Sequence, residues 1–499
     1  MKPARLTSRE REFLTLVSNT AFANPFSDKR VERYLKISGL GSRSDARARF
    51  QAVSRRVHDF LATLEEAGRH KIDAYTGEDR LILTNTHLFD VFHLFLTKLD
   101  QVIEKQIATV DATSSVPFAG TVLQALTARG FGTNEAVRYF AMFYQLRRAY
   151  HFIDCALIGR SPSMKQLRLS LWNNTFTHDM SLYDRHLWNR MEDFSTLLLG
   201  ETGTGKGAAA TAIGRSGFIP FNEKKQTFDE SFMRSFTPIN LSQFPETLIE
   251  SELFGHRKGA FTGAIEAHEG VFARCSPHGA IFLDEIGDVS VPIQIKLLQV
   301  IQERHFSPVG SHEKRTFRGR VIAASNKSIE KLREQKLFRD DFFYRLCSDV
   351  IVVPPLRDRI RESSRELNDL IGLTVGRIVG ESSSDTIEEL TAMVRSVIDR
   401  DLPPEYPWPG NVRELEQCVR RVLLTHSYAG DYSAAAADFK ASMIESIDRG
   451  SYTAQQLLTD YCRLLYERYG TYEEVARRTN LDRRTVKKYL TSGSGETSA

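Results

Sequence analysis

The chain has 499 residues, of which 41% are hydrophobic and 26% charged, and its formal net charge is +4. This composition supports about two to four folded domains. It excludes a low-complexity chain, and the small net charge by itself identifies no polyanionic partner. The five cysteines form no CxxC pair, which argues against a zinc site or a disulfide framework.

The segments at the start of the chain predict a soluble, cytoplasmic protein without a membrane partner. Met1–Glu12 is polar and lacks the apolar core of a signal peptide. The most apolar stretch, Leu81–Leu99, is interrupted by polar and charged side chains, so it does not predict a membrane span.

Residues 1–155 predict a helical N-terminal domain. Thr7 and Glu10 have the spacing of a capping box. Apolar residues recur at three- and four-residue steps between Phe50 and Leu64, and Gly68 is a candidate helix stop. No apolar run ending in paired acids indicates a phosphorylation-receiver domain. We therefore expect a sensory, regulatory or protein-interaction domain, whose signal the sequence does not define. Five residues of this region are expected to belong to the apolar core rather than to a ligand site: His87, Phe89, Phe92, His93 and Phe95.

From Ser195 short apolar runs alternate with helical patterns. The runs Thr196–Leu199, Ala280–Leu283 and Arg320–Ala324 are typical of strands. Strands that alternate with helices predict an α/β fold, here a parallel sheet with helices on both faces. From Ile360 the pattern is helical again, which predicts a helical subdomain after the sheet.

A glycine-rich phosphate loop follows the first of these strands. It has the form G-x4-G-K, where glycines let backbone N–H groups turn toward phosphate oxygens at a helix N-terminus. The alternative is a glycine turn beside a surface lysine. The expected nucleotide-binding residues of the loop are Gly200, Glu201, Thr202, Gly203, Thr204, Gly205, Lys206 and Gly207. Gly207 stands where a Ser or Thr hydroxyl usually binds Mg²⁺.

An acidic pair ends the strand pattern about eighty residues later. Asp284 and Glu285 follow four apolar residues, so a buried strand would deliver both carboxylates to the nucleotide. We expect Asp284 to hold Mg²⁺ through water and Glu285 to polarise the water that attacks ATP. By itself an acid pair at a strand end is more often a solvated turn.

The segment Glu250–Ala264 closely resembles the signature of bacterial enhancer-binding proteins, the sigma-54-dependent activators of the AAA+ superfamily. Its last six residues read GAFTGA, and the resemblance implies that they contact sigma-54: Gly259, Ala260, Phe261, Thr262, Gly263 and Ala264. Small residues let such a loop change shape, and Phe261 is an aromatic side chain that can dock on a partner. The alternative is a glycine-rich hairpin.

The same resemblance assigns roles to further residues between Ile158 and Leu424. It implies that Asn240 switches Glu285, that Asn326 senses the γ-phosphate and that Arg413 is the lid arginine called sensor II. It implies that Arg339 and Arg345 reach the neighbouring subunit's site in a hexameric ring, where a guanidinium stabilises charge on the transferring phosphate. The family usually has Glu at the position of Gly207. Two segments, Trp172–Glu192 and Gly217–Thr237, are longer than is usual in the family. A third segment, Leu367–Pro404, resembles the family only weakly.

A helix-turn-helix is predicted near the end of the chain. Thr471 and Glu474 have capping-box spacing, Thr479–Leu481 can turn, and Asp482 can cap a second helix. The expected DNA-binding residues on that helix are Arg483, Arg484, Thr485, Lys487 and Lys488. The alternative is a helical hairpin with a solvated basic face.

The predicted domains follow from these patterns. They are the N-terminal domain 1–155, the AAA+ α/β subdomain 156–358, its helical lid 359–430, a linker 431–452, the helix-turn-helix 453–490 and a disordered tail 491–499.

The leading hypothesis is an ATP- and Mg²⁺-dependent activator that binds upstream enhancer sites on double-stranded DNA. It would remodel sigma-54 RNA polymerase from closed to open complexes. The alternatives are an AAA+ motor acting on a different protein and a DNA-binding regulator with impaired ATPase activity.

Overall fold

The computed structural model describes residues 3–109, 113–155, 157–334, 337–380, 383–430, 443–444, 446–448, 450 and 452–492. Most of the predicted linker 431–452 and residues 493–499 of the predicted tail lie outside the described residues. Contacts divide the chain into two compact units. One is Met1–Thr391 with Asn411–Arg413, and the other is Ala392–Gly410 with Glu414–Ala499. None of the described helices is long and apolar enough to cross a membrane.

A five-stranded parallel sheet forms the centre of the first unit. Its order is β4-β5-β8-β1-β9. These strands are β1 Thr196–Leu199, β4 Phe236–Asn240, β5 Ala280–Asp284, β8 Arg320–Ser325 and β9 Asp349–Val352. The predicted parallel sheet and its three predicted strands are confirmed, and β4 and β9 complete it. Two short antiparallel hairpins lie outside the sheet: β2 Phe221–Asn222 with β3 Thr227–Phe228, and β6 His305–Phe306 with β7 Arg315–Thr316.

The helices that precede the sheet are α1 Ser8–Ala21, α2 Asp28–Ser38, α3 Ala46–Glu66, α4 Gly77–Leu94, α5 Leu96–Thr109, α6 Ala119–Ala128, α7 Thr133–Cys155, α8 Pro162–Phe176 and α9 Met180–Leu182. Those between and after the strands are α10 Lys206–Gly214, α11 Glu246–Phe254, α12 Val271–Arg274, α13 Val291–Glu303, α14 Ile329–Glu334, α15 Asp340–Leu346, α16 Leu356–Glu362, α17 Glu366–Val379, α18 Ser384–Asp401 and α19 Asn411–Thr425. The last are α20 Ala454–Tyr469, α21 Tyr472–Thr479 and α22 Arg483–Ser492.

Local signals at the chain start behave as expected. Thr7 and Glu10 form the capping box of α1. Farther along, α4 and α5 are separate helices with Phe95 between them. His87, Phe89 and Phe95 are buried, as expected of core residues, whereas Phe92 and His93 are partly buried.

The two faces of the sheet pack into different apolar cores, because side chains alternate along each strand. One face, including Leu198, Phe282 and Ile322, shares a continuous core with the N-terminal helices. The other face, including Leu197 and Leu283, packs against α11, α13 and α15. Both faces are therefore covered, as parallel sheets require.

The longer segment Gly217–Thr237 joins the N-terminal helices to the sheet. It contains the β2–β3 hairpin, whose Phe228 stacks on Tyr144 of α7 with ring centroids 3.7 Å apart. The fully buried Arg148, also on α7, donates hydrogen bonds to the Arg215 and Gly217 carbonyl oxygens at 2.7 and 2.6 Å.

The longer segment Trp172–Glu192 packs on α7 as well. Asp184 accepts hydrogen bonds from Arg138 and from the Tyr139 hydroxyl, the latter at 3.0 Å. Both of the segments predicted to be longer than usual thus contact the N-terminal helices.

The second unit contains a small polar core and a three-helix C-terminal cluster. Glu414 accepts hydrogen bonds from the Tyr406 and Tyr428 hydroxyls at 2.5 and 3.1 Å. Helices α20, α21 and α22 pack around an apolar cluster formed by Cys462, Leu465, Val475 and Val486.

Candidate functional site

Most of the predicted nucleotide-site residues follow strands at one edge of the sheet. The phosphate loop follows β1, Asp284 and Glu285 end β5, and Asn326 follows β8. Because all these strands run parallel, their carboxyl ends meet at the same edge, where open α/β sheets bind ligands. The Gly200 N–H donates to the Ser325 carbonyl oxygen at 3.3 Å, which places the loop beside the end of β8.

The phosphate loop takes the backbone form that its glycines allow. Gly203 and Gly205 have φ values of 80° and 105°, which β-carbon-bearing residues rarely adopt. Lys206 begins α10, is buried, and donates through Nζ to the Gly200 and Glu201 carbonyl oxygens at 2.7 and 3.1 Å. Burial lowers the pKa of Lys206, and the nearby Glu285 and Asp284 carboxylates oppose that shift.

Gly207 lies one position into α10 on an exposed surface. A β-carbon at this position would meet no atom within 4 Å. No steric constraint therefore requires glycine at the place where a hydroxyl-bearing residue would help to hold Mg²⁺.

The acidic pair lies beside the lysine. Glu285 adopts φ 57°, an unusual backbone conformation for a residue with a β-carbon and one that concentrates at functional sites. Burial raises the pKa of Glu285, whereas Lys206 and the backbone N–H of Asn326 act to lower it. Asp284 is partly buried and accepts from the Glu285 N–H at 3.1 Å.

Asn240 and Asn326 flank this acidic pair. Asn240 is the last residue of β4 and is in register with Asp284. Its side-chain oxygen accepts from the Ser242 N–H at 3.0 Å, so it caps the turn that follows rather than contacting Glu285. Asn326 is exposed, directly after the buried Ser325.

A polar cluster that the sequence analysis did not assign clamps the phosphate loop. Glu201 pairs with both guanidinium nitrogens of Arg357, one of them at 2.7 Å. The buried Asn411 donates to Glu201 and to the Thr202 carbonyl oxygen at 3.1 and 3.0 Å, and accepts from the Leu356 N–H at 2.8 Å. Burial acts to raise the pKa of Glu201, but the hydrogen bonds from Arg357 and Asn411 outweigh it and leave this pKa lowered.

The sequence around Asn411 indicates a turn, but it does not indicate which residue Asn411 binds. Asn411 stands between Gly410 and Val412 and adopts φ 53°, which Asn tolerates better than most residues. Its partner Glu201 lies 210 positions earlier. The neighbouring Arg413 is exposed, and its charge contributes to the lowered pKa of Lys206.

The predicted trans-acting arginines are not joined to this chain's own phosphate loop. Arg339 caps α15 and its guanidinium binds Asp341 at 3.0 and 2.8 Å. Arg345 is partly buried and donates to the Ile301 carbonyl oxygen at 3.5 Å. The hydrogen bonds that these two guanidiniums make are thus with α13 and α15, and not with the phosphate loop.

Most of the Gly259–Ala264 loop is exposed on the first unit, although Ala264 is buried. The Gly259 N–H donates to the Ala264 carbonyl oxygen at 2.8 Å and closes the loop. Phe261 keeps 39% of its surface exposed and rests against His256, with ring centroids 4.9 Å apart. A β-carbon on Gly259 or Gly263 would meet nothing within 4 Å, so their positive φ values of 79° and 101° are what favours glycine.

The base of this loop is held by hydrogen bonds. His256 contacts the Ser251 hydroxyl at 2.6 Å and the Glu266 carbonyl oxygen at 3.0 Å. Arg257 pairs with Glu313, which follows the β6 strand, at 3.1 Å. The base of the loop is therefore anchored, while Phe261, Thr262 and Gly263 at its tip are exposed.

The predicted basic helix is α22. Its basic residues Arg483, Arg484, Lys487 and Lys488 are exposed and Thr485 is partly buried. Asn480 turns at φ 55° and the Asp482 carboxylate accepts from the Arg484 N–H at 2.8 Å, as expected for the turn and the cap.

The Thr471 capping box is a wrong prediction. Thr471 makes no side-chain cap, because Glu474 is instead paired with Arg477 and Arg478. Two charged partners on the same helix compete more strongly for a carboxylate than one backbone N–H does.

Comparison with known proteins gives a consistent result. Residues 180–352 match the family model described as a sigma-54 interaction domain. The chain is 35% identical over 282 residues to a Nif-specific regulatory protein of Azotobacter vinelandii, covering 56% of this chain and 45% of that protein. It is 36% identical over 291 residues to the sigma54-dependent transcriptional activator SfnR of Pseudomonas putida, covering 56% of this chain and 71% of that protein.

Among solved structures, the crystal structure of NtrX from Brucella abortus in complex with ATP is 19% identical to this chain. Its TM-score is 0.40, and the match covers 74% of this chain and 80% of that one. The chain spans 45% of the length of the Nif-specific regulator it matches. The matched interaction domain, the parallel sheet with its phosphate loop and the extent of the match to SfnR together show that this chain belongs to the sigma-54-dependent transcriptional activators.

Proposed function

We propose that this protein is an ATP-dependent activator that binds upstream DNA and remodels sigma-54 RNA polymerase from closed to open complexes. The observation that carries the proposal is the combination of two surfaces on one unit. Lys206, Asp284, Glu285 and Asn326 meet at one sheet edge, and the tip of the Gly259–Ala264 loop is exposed.

The phosphate loop is the proposed ATP site. Its backbone N–H groups and the start of α10 would hold phosphate oxygens, and Lys206 would exchange its two loop carbonyls for the β- and γ-phosphates. The partly buried Asp284 carboxylate beside Lys206 has the oxygen donors that Mg²⁺ prefers, so it fits the ion, with water completing the shell. Bound Mg²⁺ would neutralise charge on the phosphates.

Glu285 is the proposed base that orients the attacking water. Burial raises the pKa of this carboxylate toward neutral pH, which suits a group that accepts a proton from water. The backbone N–H of Asn326 acts on the same carboxylate and partly opposes the rise. Asn240 would have to leave its turn-capping bond with Ser242 to act on Glu285. Asn326 and Arg413, which come from different parts of the chain, would both contact the γ-phosphate.

Arg339 and Arg345 support a ring, which we propose to be a hexamer. Neither guanidinium bonds to its own phosphate loop, which supports a role of both arginines at a neighbouring subunit's site. Subunit mixing tests this. Lys206→Ala protein and Arg339→Ala protein should each be inactive, and their mixture should regain ATPase activity, because some interfaces then pair an intact loop with an intact arginine. Absence of any recovery in mixed, assembled rings would contradict the assignment in trans.

The decisive experiment is ATP-dependent open-complex formation by the full-length protein on sigma-54 promoters. Wild type should open the promoter, and Thr262→Ala should retain ATP hydrolysis while losing promoter opening. Thr127→Ala is the matched control, since it removes the same atoms from an exposed site on α6. ATPase activity without promoter opening by wild type would instead favour a motor that acts on another protein.

DNA binding is proposed for α22. Lys487→Gln and Arg484→Gln should weaken binding to upstream sites and make the slope of log affinity against log salt shallower by about 0.9 per lost phosphate contact. An unchanged slope in both variants would favour the alternative of a solvated basic face. If Lys206→Ala left all regulation intact, the third hypothesis, an ATPase-impaired DNA-binding regulator, would gain support.

A further inference from the structure

A chamber of about 470 Å³ lies among the N-terminal helices. Small-molecule sites in proteins have volumes of this order, about 300–1,000 Å³. Helices α1 to α4, α7 and α8 all contribute to its wall. Its main apolar lining consists of Phe50, Phe89, Phe92, Phe143, Tyr150 and Trp172. We call this space the aromatic chamber.

Phe89, Phe143 and Trp172 of this wall belong to the N-terminal apolar core, and neighbouring rings pack on them with part of their surface accessible. Phe26 stacks on Tyr150 at 5.7 Å with the planes only 5° apart, and meets Trp172 edge-on at 6.2 Å. Phe50 and Tyr150 line the chamber yet keep accessible surface, and the exposed Val31 lies at its rim. Such surfaces favour a planar ring, which can stack on one aromatic side chain and meet the edge of another.

The charge lining the chamber has one sign. Arg30, Arg47, Arg49 and Arg147 line it, and among its lining residues in the described part of the chain there is no Asp or Glu. Arg147 is neutralised by Asp100, which it binds with two nitrogens. Arg30 instead donates to neutral oxygens, the Ala23 carbonyl at 2.8 Å and the Tyr34 hydroxyl at 2.9 Å.

His93 adds no further positive charge to the chamber. Its Nδ1 lies 2.6 Å from the Phe89 carbonyl oxygen, which can only accept, so Nδ1 carries the proton and Nε2 is an acceptor. Burial, with the charges of Arg30 and Arg147, lowers the pKa of His93 to about 3. Arg30, which is near enough to His93 to lower the pKa of that ring, is therefore a charge in the chamber wall whose hydrogen bonds go to neutral oxygens.

We propose that the aromatic chamber binds a small aromatic carboxylate, with its ring among the phenyl side chains and its carboxylate at Arg30. A planar guanidinium matches a carboxylate with two parallel hydrogen bonds. A neutral aromatic would fill the same volume but leave the arginine charge unbalanced. The binding is independent of ATP, DNA and sigma-54, so it stands or falls apart from the proposed function.

The test is a titration of the full-length protein with phenylacetate, benzoate and indole-3-acetate, followed by calorimetry and by the fluorescence of Trp172. Phenylacetamide and hexanoate are the matched controls, since one removes the charge and the other the ring. Trp172→Phe should lose the fluorescence change and keep the calorimetric signal. That result would show that the bound carboxylate lies near Trp172 rather than near Trp188 or Trp408.

We expect at least one aromatic carboxylate to bind saturably, and the amide to bind about tenfold or more weakly, as the loss of a charged hydrogen bond predicts. Arg30→Gln should abolish this preference, whereas Arg33→Gln, on the same helix but outside the chamber, should retain it. Leu96→Trp fills the chamber without changing its charge and should abolish binding in folded protein. It is the alternative test if Arg30→Gln does not fold.

Several results would overturn the proposal. These are the absence of saturable binding by every aromatic carboxylate at millimolar concentration, equal binding of phenylacetate and phenylacetamide, and unchanged affinity in folded Leu96→Trp. Equal binding of hexanoate would overturn the assignment of an aromatic ligand.

Discussion

Asn411 offers a direct test of how the phosphate loop is held. In Asn411→Ala the Leu356 N–H loses its acceptor in a fully buried position, which costs about 1–3 kcal/mol. Alanine at φ 53° adds about 1 kcal/mol of backbone strain. We therefore expect the free energy of unfolding to fall by about 2–4 kcal/mol. ATP should also bind more weakly, because Glu201 and the Thr202 carbonyl lose their amide donor.

The two contributions can be separated. Asn411→Gly removes the same hydrogen bonds but accepts the positive φ, so it should be more stable than Asn411→Ala by about 1 kcal/mol. Asn189→Ala, at an exposed position, is the control and should remain near wild type. Urea unfolding followed by circular dichroism measures stability, and calorimetry measures ATP affinity. The reasoning is refuted if Asn411→Ala unfolds within about 0.5 kcal/mol of wild type, the size of an ordinary surface substitution.

Three further predictions concern single positions. In Gly159→Ala the new β-carbon would lie 1.9 Å from Glu366 Oε1 at φ 117°, so we expect a loss of about 3 kcal/mol or more in unfolding free energy, and an unchanged melting temperature would contradict it. Gly207→Ala should raise the unfolding free energy by about 0.5 kcal/mol with nucleotide binding retained, because its β-carbon enters open space on a helix; a loss of binding would show that this glycine is required. Burial lowers the pKa of His87 from 6.5 to about 3, so the unfolded chain takes up a proton first as the pH falls. The stability that His87 contributes above pH 6.5 is lost progressively toward pH 3, by about 1.4 kcal/mol per pH unit, and in His87→Gln the decline between pH 6.5 and 5 should be shallower; parallel curves would argue against this cause.

The local chemistry of the site could be predicted from sequence. The phosphate loop, the acidic pair after β5 and the Gly259–Ala264 loop are each continuous stretches whose residue types and spacing are sufficient to indicate their conformation. The strands that carry them were recognised for the same reason, since a buried parallel strand is a short uninterrupted apolar run. Thr471 shows the limit even at short range, because a competing ion pair took the partner expected for its cap.

Contacts between distant positions were decided by the tertiary structure alone. Glu201 and Asn411 are 210 residues apart, and nothing in either local pattern identifies the other. The same holds for the aromatic chamber, whose walls come from helices spread over more than the first third of the chain, and for Arg148, whose carbonyl partners lie nearly seventy positions later. Periodicity indicates which side chains are buried, but only packing decides which of them meet and which leave a space between them. Thus the sequence alone determined the family and the positions of its phosphate-loop and GAFTGA motifs, whereas the clamp on the phosphate loop, the shared core of helices and sheet, and the chamber exist only in the folded chain.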